Sequence, residues 1–138
     1  MDRYVVDASV ILKWVLGDER EPDQNKAMDL LDAWVGGRAD LLAPSLWEYE
    51  VGNFLGRRFP DQAFEKMALI VNLKFSSISL TESMHRLCFD WMARHGVTFY
   101  DACYLALAEE TKSILVTADA KFAGKMGQTH SVCLLNDL

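Results

Sequence analysis

The sequence lacks the long apolar runs that a membrane-spanning protein needs. Its hydrophobic stretches are only a few residues long, well short of the ~18–20 residues that a spanning helix requires. The opening residues, MDRYVVDAS, read directly into a strand and show no signal-peptide pattern. We therefore expect a cytoplasmic protein without a membrane segment.

Cysteine and histidine are also scarce, and their spacing fits neither a disulfide framework nor a zinc site. Cys88, Cys103 and Cys133 lie among apolar neighbours and form no CxxC pair. The three histidines show no ligand spacing. We expect buried thiols and histidines that are packed or at the surface.

Basic residues are the minority, with 14 Lys and Arg against 20 Asp and Glu and a net charge of −6. Such a protein repels phosphates at long range, which argues against non-specific adhesion to nucleic acid. A phosphate-bearing substrate would therefore need basic groups near its binding site. Length and composition, with 138 residues of which 51% are hydrophobic and 25% charged, predict a single globular domain over residues 1–138.

Strands and helices alternate along the chain without an internal repeat or a linker. Strands are predicted at residues 4–9, 41–44, 74–80, 113–119 and 131–135. Helices are predicted at residues 10–16, 27–35, 45–59, 60–71, 81–96, 98–110 and 121–125, and residues 18–24 read as a charged loop. With right-handed crossovers, this alternation predicts a three-layer α/β/α sandwich around a mainly parallel five-stranded sheet.

Polar residues at three predicted helix starts suggest how the helices begin. Ser9 is predicted to cap the first helix, and Thr98 to cap the apolar helix TFYDACYLALAEE. Ser45 and Glu48 have the spacing of a capping box. This interpretation explains Glu48 but not Glu50, which lies past the cap on a partly apolar face.

Four acids are predicted to meet at one rim of the sheet. Asp7 ends the first strand and Asp119 ends the fourth, and parallel strands bring such ends to the same edge. Asp101 lies in the first turn of its helix, and Glu50 lies one turn into the helix after LLAP. Taken alone, each could be a turn or cap residue or a favourable charge at a helix start.

Taken together, the four carboxylates would repel one another. Each pair of unit charges costs about 4 kcal/mol at ~4 Å and an effective dielectric constant of ~20. A divalent cation reverses this sign, and Mg²⁺ and Mn²⁺ prefer carboxylate and water oxygens. Such an ion stabilises charge on a phosphate and lowers the pKa of a bound water. The acids therefore predict a Mg²⁺ or Mn²⁺ site that performs phosphoryl chemistry.

The ordered segments VVDASV, PSLWEYEVGN, TFYDACYLALA and ILVTAD resemble those of the PIN-domain family, in particular the VapC toxins of toxin–antitoxin pairs. The resemblance covers nearly the whole chain. It implies a Mg²⁺- or Mn²⁺-dependent endoribonuclease that cuts RNA. It also implies a homodimer or higher homo-oligomer, and a small antitoxin partner whose arginine could pair with the carboxylates.

The resemblance also assigns roles to individual residues. The family's catalytic and metal-binding acids fall on Asp7, Glu50, Asp101 and Asp119. The hydroxyls that accompany the first and last acids fall on Ser9 and Thr117, which could orient ligands or waters.

Basic and aromatic residues near the predicted rim are candidate RNA contacts, although each could equally belong to a solvated face. The basic candidates are Lys13, Arg57, Arg58, Lys121 and Lys125. Trp14, Trp47 or Tyr100 could stack bases, and Trp47 fits a core position as well.

Two other functions remain open on the sequence alone. A phosphatase or receiver-type phosphotransfer domain also places an aspartate at a strand end, but it needs a nearby lysine, and no predicted strand ends in one. A catalytically silent module of the same fold could keep the acids and only bind RNA or protein.

Overall fold

The computed structural model describes residues 1–17 and 21–138, so residues 18–20 of the predicted charged loop lie outside the described residues. The strands are β1 (Asp2–Val6), β2 (Ala39–Pro44), β3 (Ser76–Ile78), β4 (Ile114–Thr117) and β5 (Val132–Leu134). They form one sheet in the order β3-β2-β1-β4-β5, and every neighbouring pair is parallel. The predicted fold class is thereby confirmed.

Helices cover both faces of this sheet. They are α1 (Ala8–Lys13), α2 (Gln24–Val35), α3 (Trp47–Arg58), α4 (Ala63–Leu73), α5 (Glu82–His95), α6 (Phe99–Thr111) and α7 (Ala120–Met126). The chain runs from β1 outward to β3 and then returns to β4 and β5. Right-handed crossovers therefore place α1 to α4 on one face and α5 to α7 on the other. In the part of the chain that the structure describes, no helix is long and apolar enough to cross a membrane.

Helix α6 is the central helix of its layer. It lies against β1, β2 and β4, and α5 packs on its outer side. All seven residues from Ala102 to Ala108 are buried, as expected for a helix that is covered all round. Val5 and Val6 of β1 and Val116 of β4, in two of the strands that it contacts, are fully buried. The first turn of α6 is therefore held in a fixed position at the rim of the sheet.

The first helix does not start as predicted. Its cap is Asp7 and not Ser9, because β1 already ends at Val6 and α1 begins at Ala8. The Val10 amide donates to Asp7 Oδ1 at 3.3 Å. The predicted cap was wrong by two residues, and Ser9 is left in the first turn with its hydroxyl available for another contact.

The predicted capping box of Ser45 and Glu48 was also wrong. Helix α3 begins after Leu46, and no side chain caps it. The Ser45 amide instead donates to the Ile78 carbonyl at 2.8 Å, which continues the pairing of β2 with β3. In contrast, the predicted cap Thr98 is present, since its hydroxyl accepts the Asp101 amide at 3.1 Å.

Strand β3 and helix α4 also differ in extent from the prediction. Strand β3 has three residues where the pattern predicts 74–80, because α4 extends to Leu73 and Lys74 then turns the chain in a left-handed conformation. Pro60 lies in a turn, and α4 starts only at Ala63. As expected, Cys88 and Cys103 are buried, whereas Cys133 is half-buried.

Candidate active site

The candidate site lies where the order of the strands reverses. From β1 the chain first adds β2 and β3 on one side and then β4 and β5 on the other, so the carboxyl ends of β1 and β4 flank a crevice. Asp7 follows β1 directly, and Asp119 lies two residues after β4. Glu50 and Asp101 lie in the first turns of α3 and α6. The structure thus places all four predicted acids at this rim.

Asp7 is half-buried and fixed by two hydrogen bonds to one oxygen. The Ser9 hydroxyl donates to Asp7 Oδ1 at 2.5 Å, and the Val10 amide donates to the same atom. Ser9 Oγ also accepts the Ala118 amide at 3.0 Å. A single hydroxyl therefore connects the end of β1 to the turn that follows β4.

Asp119 is held by the second hydroxyl that the sequence singles out. Thr117 is fully buried, and its Oγ1 accepts the Asp119 amide at 3.0 Å. Asp119 Oδ1 in turn accepts the Phe122 amide at 3.1 Å and caps α7. Asp7 and Asp119 are thus helix caps, as one interpretation of the sequence proposed. Each cap uses only Oδ1, so capping leaves a second carboxylate oxygen for other ligands.

Glu50 receives its hydrogen bond from a residue that sequence reasoning missed. The Tyr104 hydroxyl donates to Glu50 Oε1 at 2.6 Å, and Tyr104 is only 2% exposed. Glu48 is exposed to solvent. Of the two glutamates, Glu50 is therefore the one that contacts α6, although the predicted reason, a capping box for Glu48, was wrong. A tyrosine one turn after Asp101 on a buried helix was the available signal, because a buried hydroxyl needs a partner.

The acids influence one another electrostatically. Burial raises the pKa of Asp7 to about 6; the hydrogen bonds it accepts oppose the rise, and the charge of Asp101 adds to it. Burial also raises the pKa of Glu50; the hydrogen bond from Tyr104 works against this, and repulsion from Asp101 adds to it. The pKa of Asp101 itself is raised by burial and by Asp119. Asp101 is therefore coupled to each of the other three acids.

The donor set suits a hard divalent cation that keeps part of its water shell. Within residues 1–17 and 21–138, no three carboxylate, thiol or imidazole side chains stand close enough to hold one ion between them. The acids share a rim without closing around one point. Mg²⁺ commonly uses one or two carboxylates and several waters. Carboxylate oxygens with no thiol or imidazole suit Mg²⁺ or Mn²⁺ better than zinc.

A cleft of about 740 Å³ opens beside the acids. Its walls come from α1, α3 and the start of α6. Its lining residues are Ala8, Ser9, Leu12, Leu46, Tyr49, Glu50, Asn53, Phe54, Arg57, Arg58 and Tyr100. The predicted contacts Arg57, Arg58 and Tyr100 thus lie in one cleft with Glu50, and Tyr49 joins them without having been singled out from the sequence.

Two of the predicted RNA contacts are wrong. Lys13 is buried, and its Nζ lies 2.9 Å from Glu21 Oε1 and 2.6 Å from the Pro22 carbonyl oxygen. Trp14 is buried too, and its Nε1 donates to the Ala27 carbonyl at 2.9 Å. Both side chains point into the protein, so neither can contact a nucleotide.

The remaining candidates divide between the core and the surface. Trp47 belongs to the core, where its Nε1 donates to Ser77 Oγ at 3.1 Å. Lys121 and Lys125 are exposed on α7. Lys121 lies close to Asp119 at the start of this helix and stays a candidate contact.

A parallel sheet with carboxylates at its switch point defines the class of this chain as an α/β protein. The model of the PIN domain matches residues 4–125. The chain therefore belongs to the PIN-domain family.

Similar proteins span nearly the same length. The chain is 32% identical over 137 residues to ribonuclease VapC1 of Mycobacterium tuberculosis, with 92% of this chain and 93% of that protein covered. It is 32% identical over 130 residues to ribonuclease VapC3 of Pyrobaculum aerophilum, with 89% and 94% covered. Among solved structures, a toxin–antitoxin complex from Klebsiella pneumoniae matches with a TM-score of 0.72 at 14% identity, covering 98% of this chain and 99% of that one. This last likeness concerns the fold alone.

Proposed function

We propose that the protein is an endoribonuclease that depends on Mg²⁺ or Mn²⁺ and hydrolyses RNA phosphodiester bonds. The observation that carries this proposal is the placement of four carboxylates, those of Asp7, Glu50, Asp101 and Asp119, at the switch point of the sheet. Four mutually repelling carboxylates are costly to collect, and a cation removes that cost. The relatives that share 32% identity are named ribonucleases, which supports RNA as the substrate.

The four acids would hold the ion, directly or through its waters. A bound divalent cation stabilises negative charge on the phosphate and lowers the pKa of a coordinated water. The protein's own hydroxyls keep the acids in place. Ser9 and Thr117 fix the ends of β1 and β4, and Tyr104 holds the carboxylate of Glu50.

The exposed basic residues would supply the local positive charge that this acidic protein otherwise lacks. Arg57 and Arg58 lie in the cleft beside Glu50, and Lys121 lies beside Asp119. Each phosphate that such a group neutralises contributes to affinity and makes binding dependent on salt.

Cleavage assays with defined RNA test this proposal. We expect cutting by the wild type with Mg²⁺ or Mn²⁺, and none after addition of EDTA. Asp101→Asn should reduce the rate by more than the ~10–100-fold that a changed outer-shell partner costs. Asp61→Asn, an exposed turn residue away from the rim, is the matched control and should cut normally. Cutting that persists in EDTA would overturn metal dependence, and no cutting across varied RNAs would favour the silent binding module.

The protein is also proposed to pair with a small antitoxin and with a second copy of itself. The similar Klebsiella structure is a toxin–antitoxin complex, and α4 exposes Phe64, Leu69 and Val71 without a covering layer from the described residues. Light scattering of the purified chain should give the mass of a dimer or a higher oligomer. Co-expression with a short neighbouring reading frame should yield a stable complex that does not cut RNA. A monomer, or a cutting complex, would contradict these two expectations.

A further inference from the structure

One wall of the cleft beside Glu50 is a row of side chains on α3. Tyr49, Asn53 and Arg57 follow one another at four-residue spacing along α3, so they lie in one row on the helix surface. Tyr100, in the first turn of α6, lines the same cleft. The rings of Tyr49 and Tyr100 therefore lie in the same cleft as Glu50, and the row on α3 ends at Arg57.

The two tyrosines are unusually exposed for large aromatic residues. Tyr49 is 74% exposed and Tyr100 is 57% exposed. Neither hydroxyl has a hydrogen-bond partner among residues 1–17 and 21–138, in contrast to Tyr104. Their rings contribute little to the core, because they are mostly exposed, whereas Trp14, Trp47 and Phe75 form a buried aromatic cluster. The exposed rings are suited to stack on a planar ligand.

Among the described residues, the two arginines of the cleft pair with an amide and an aromatic ring and not with an acid. Within the described ranges, neither Arg57 nor Arg58 has a carboxylate at ion-pair distance. Asn53 Oδ1 accepts from Arg57 Nε at 3.4 Å, and the Arg58 guanidinium lies 5.7 Å from the centre of the Phe54 ring. Arg57 lies seven residues after Glu50 in the sequence, about 10 Å along the helix axis. It is therefore placed to meet a phosphate other than the one at the acids.

We propose that this cleft is a nucleotide subsite, in which Tyr49 and Tyr100 stack on one unpaired base next to the scissile bond and Arg57 contacts the following phosphate. The proposal rests on the proposed ribonuclease function and assigns to Tyr49, Tyr100 and Arg57 the binding of an unpaired nucleotide beside the cut. A base inside an A-form duplex is stacked and paired, so its faces are not available to the tyrosines. An apolar peptide would use the rings but would leave both arginines without a partner, which favours RNA as the occupant.

Binding can be measured apart from cutting in an Asp101→Asn background with Mg²⁺, using the fluorescence anisotropy of a labelled unpaired RNA oligomer. Tyr49→Leu and Tyr100→Leu should each weaken binding by about 5- to 150-fold, the effect of losing one stacked base. Arg57→Gln should weaken binding and reduce its dependence on salt by about one phosphate contact. Val35→Ala, an exposed apolar residue of α2 outside the cleft, and Arg38→Gln, at the opposite end of β2, should bind normally.

A scan with abasic RNAs identifies the base that is held. One abasic position should weaken wild-type binding as much as Tyr49→Leu does, and on that RNA the tyrosine substitutions should have no further effect. Tyrosine variants that bind and cut intact RNA like the controls would overturn the subsite, as would variants that weaken only an antitoxin complex. Binding that depends on the tyrosines, with no cutting by the wild type in Mg²⁺ or Mn²⁺, would retain the subsite and reject the ribonuclease.

Discussion

Replacing Asp7 with asparagine should stabilise the metal-free protein. Asp7 Oδ1 accepts hydrogen bonds from Ser9 and the Val10 amide, and an asparagine oxygen can accept both. Asparagine is also as good a helix cap as aspartate. The substitution therefore keeps the local structure and removes the negative charge that burial and Asp101 disfavour.

The size of the gain follows from the pKa. Burial raises the pKa of Asp7 from its ordinary 3.8 to about 6, and a rise of about 2 corresponds to about 3 kcal/mol at high pH. Asp7 is partly exposed, so solvent screening reduces this figure. We expect Asp7→Asn to raise the free energy of unfolding by about 1–2 kcal/mol at pH 7.5.

The dependence of stability on pH separately tests whether Asp7→Asn stabilises the metal-free protein. The folded protein holds the Asp7 proton more tightly than the unfolded chain does, so Asp7 favours folding below pH ~4 and loses that contribution as the pH rises through about 6. The advantage of Asp7→Asn should therefore be small at pH 4 and complete by about pH 7. Urea unfolding of both proteins in EDTA, at several pH values, measures this difference.

Adding the cation should reverse the order of stability. An ion that binds only the folded wild type adds about 2.7 kcal/mol at 100 times its dissociation constant, and the asparagine variant should gain less. Asp61→Asn is the control and should stay within about 0.5 kcal/mol of the wild type throughout. If Asp7→Asn destabilises the metal-free protein at pH 7.5, Asp7 serves as a cap whose charge helps folding, and the reasoning from repulsion is wrong.

Two further substitutions test contacts that the sequence did not reveal. Tyr104→Phe removes the donor to Glu50 and should lower the free energy of unfolding by about 1–3 kcal/mol. In a Glu50→Gln background the same substitution should cost less. Equal losses in the two backgrounds would show that the two side chains are not coupled. Lys13→Met removes the part-buried hydrogen bonds to Glu21 and the Pro22 carbonyl and should lower the free energy of unfolding in urea by about 1–3 kcal/mol. Its RNA affinity should be unchanged in a filter-binding assay. An affinity loss in a normally folded Lys13→Met protein would contradict the buried position of this lysine.

The order of strands and helices was predictable because it follows from local patterns. Buried parallel strands appear as short apolar runs, and α6 appears as a long one, so the rim of the sheet and the placement of Asp7, Asp101 and Asp119 on it follow from topology. The cap at Thr98 was predictable for the same reason, since an N-cap depends on only three neighbouring residues.

Contacts between distant segments were not predictable. Ser45 has the spacing of a capping box with Glu48, but its amide pairs with Ile78 of β3, and a tertiary hydrogen bond of this kind leaves no local pattern. Lys13 resembles an exposed cation at a helix end until Glu21 and Pro22 fold over it.

The apolar residues of α4 show the same limit. Phe64 and Val71 lie on its exposed side, and Ile70 is the buried residue. Helical spacing predicts an apolar face, but it does not say whether that face packs on the sheet or on another molecule.

The side chains of Asp7 and Asp119 each accept an amide at the start of a helix. Their torsion angles are therefore settled when the chain folds, before any ligand arrives. A cation that binds at this rim contacts oxygens whose side chains have little rotational freedom left to lose. The side-chain entropy that binding would otherwise cost is therefore already lost when β1, β4 and the helices that follow them fold.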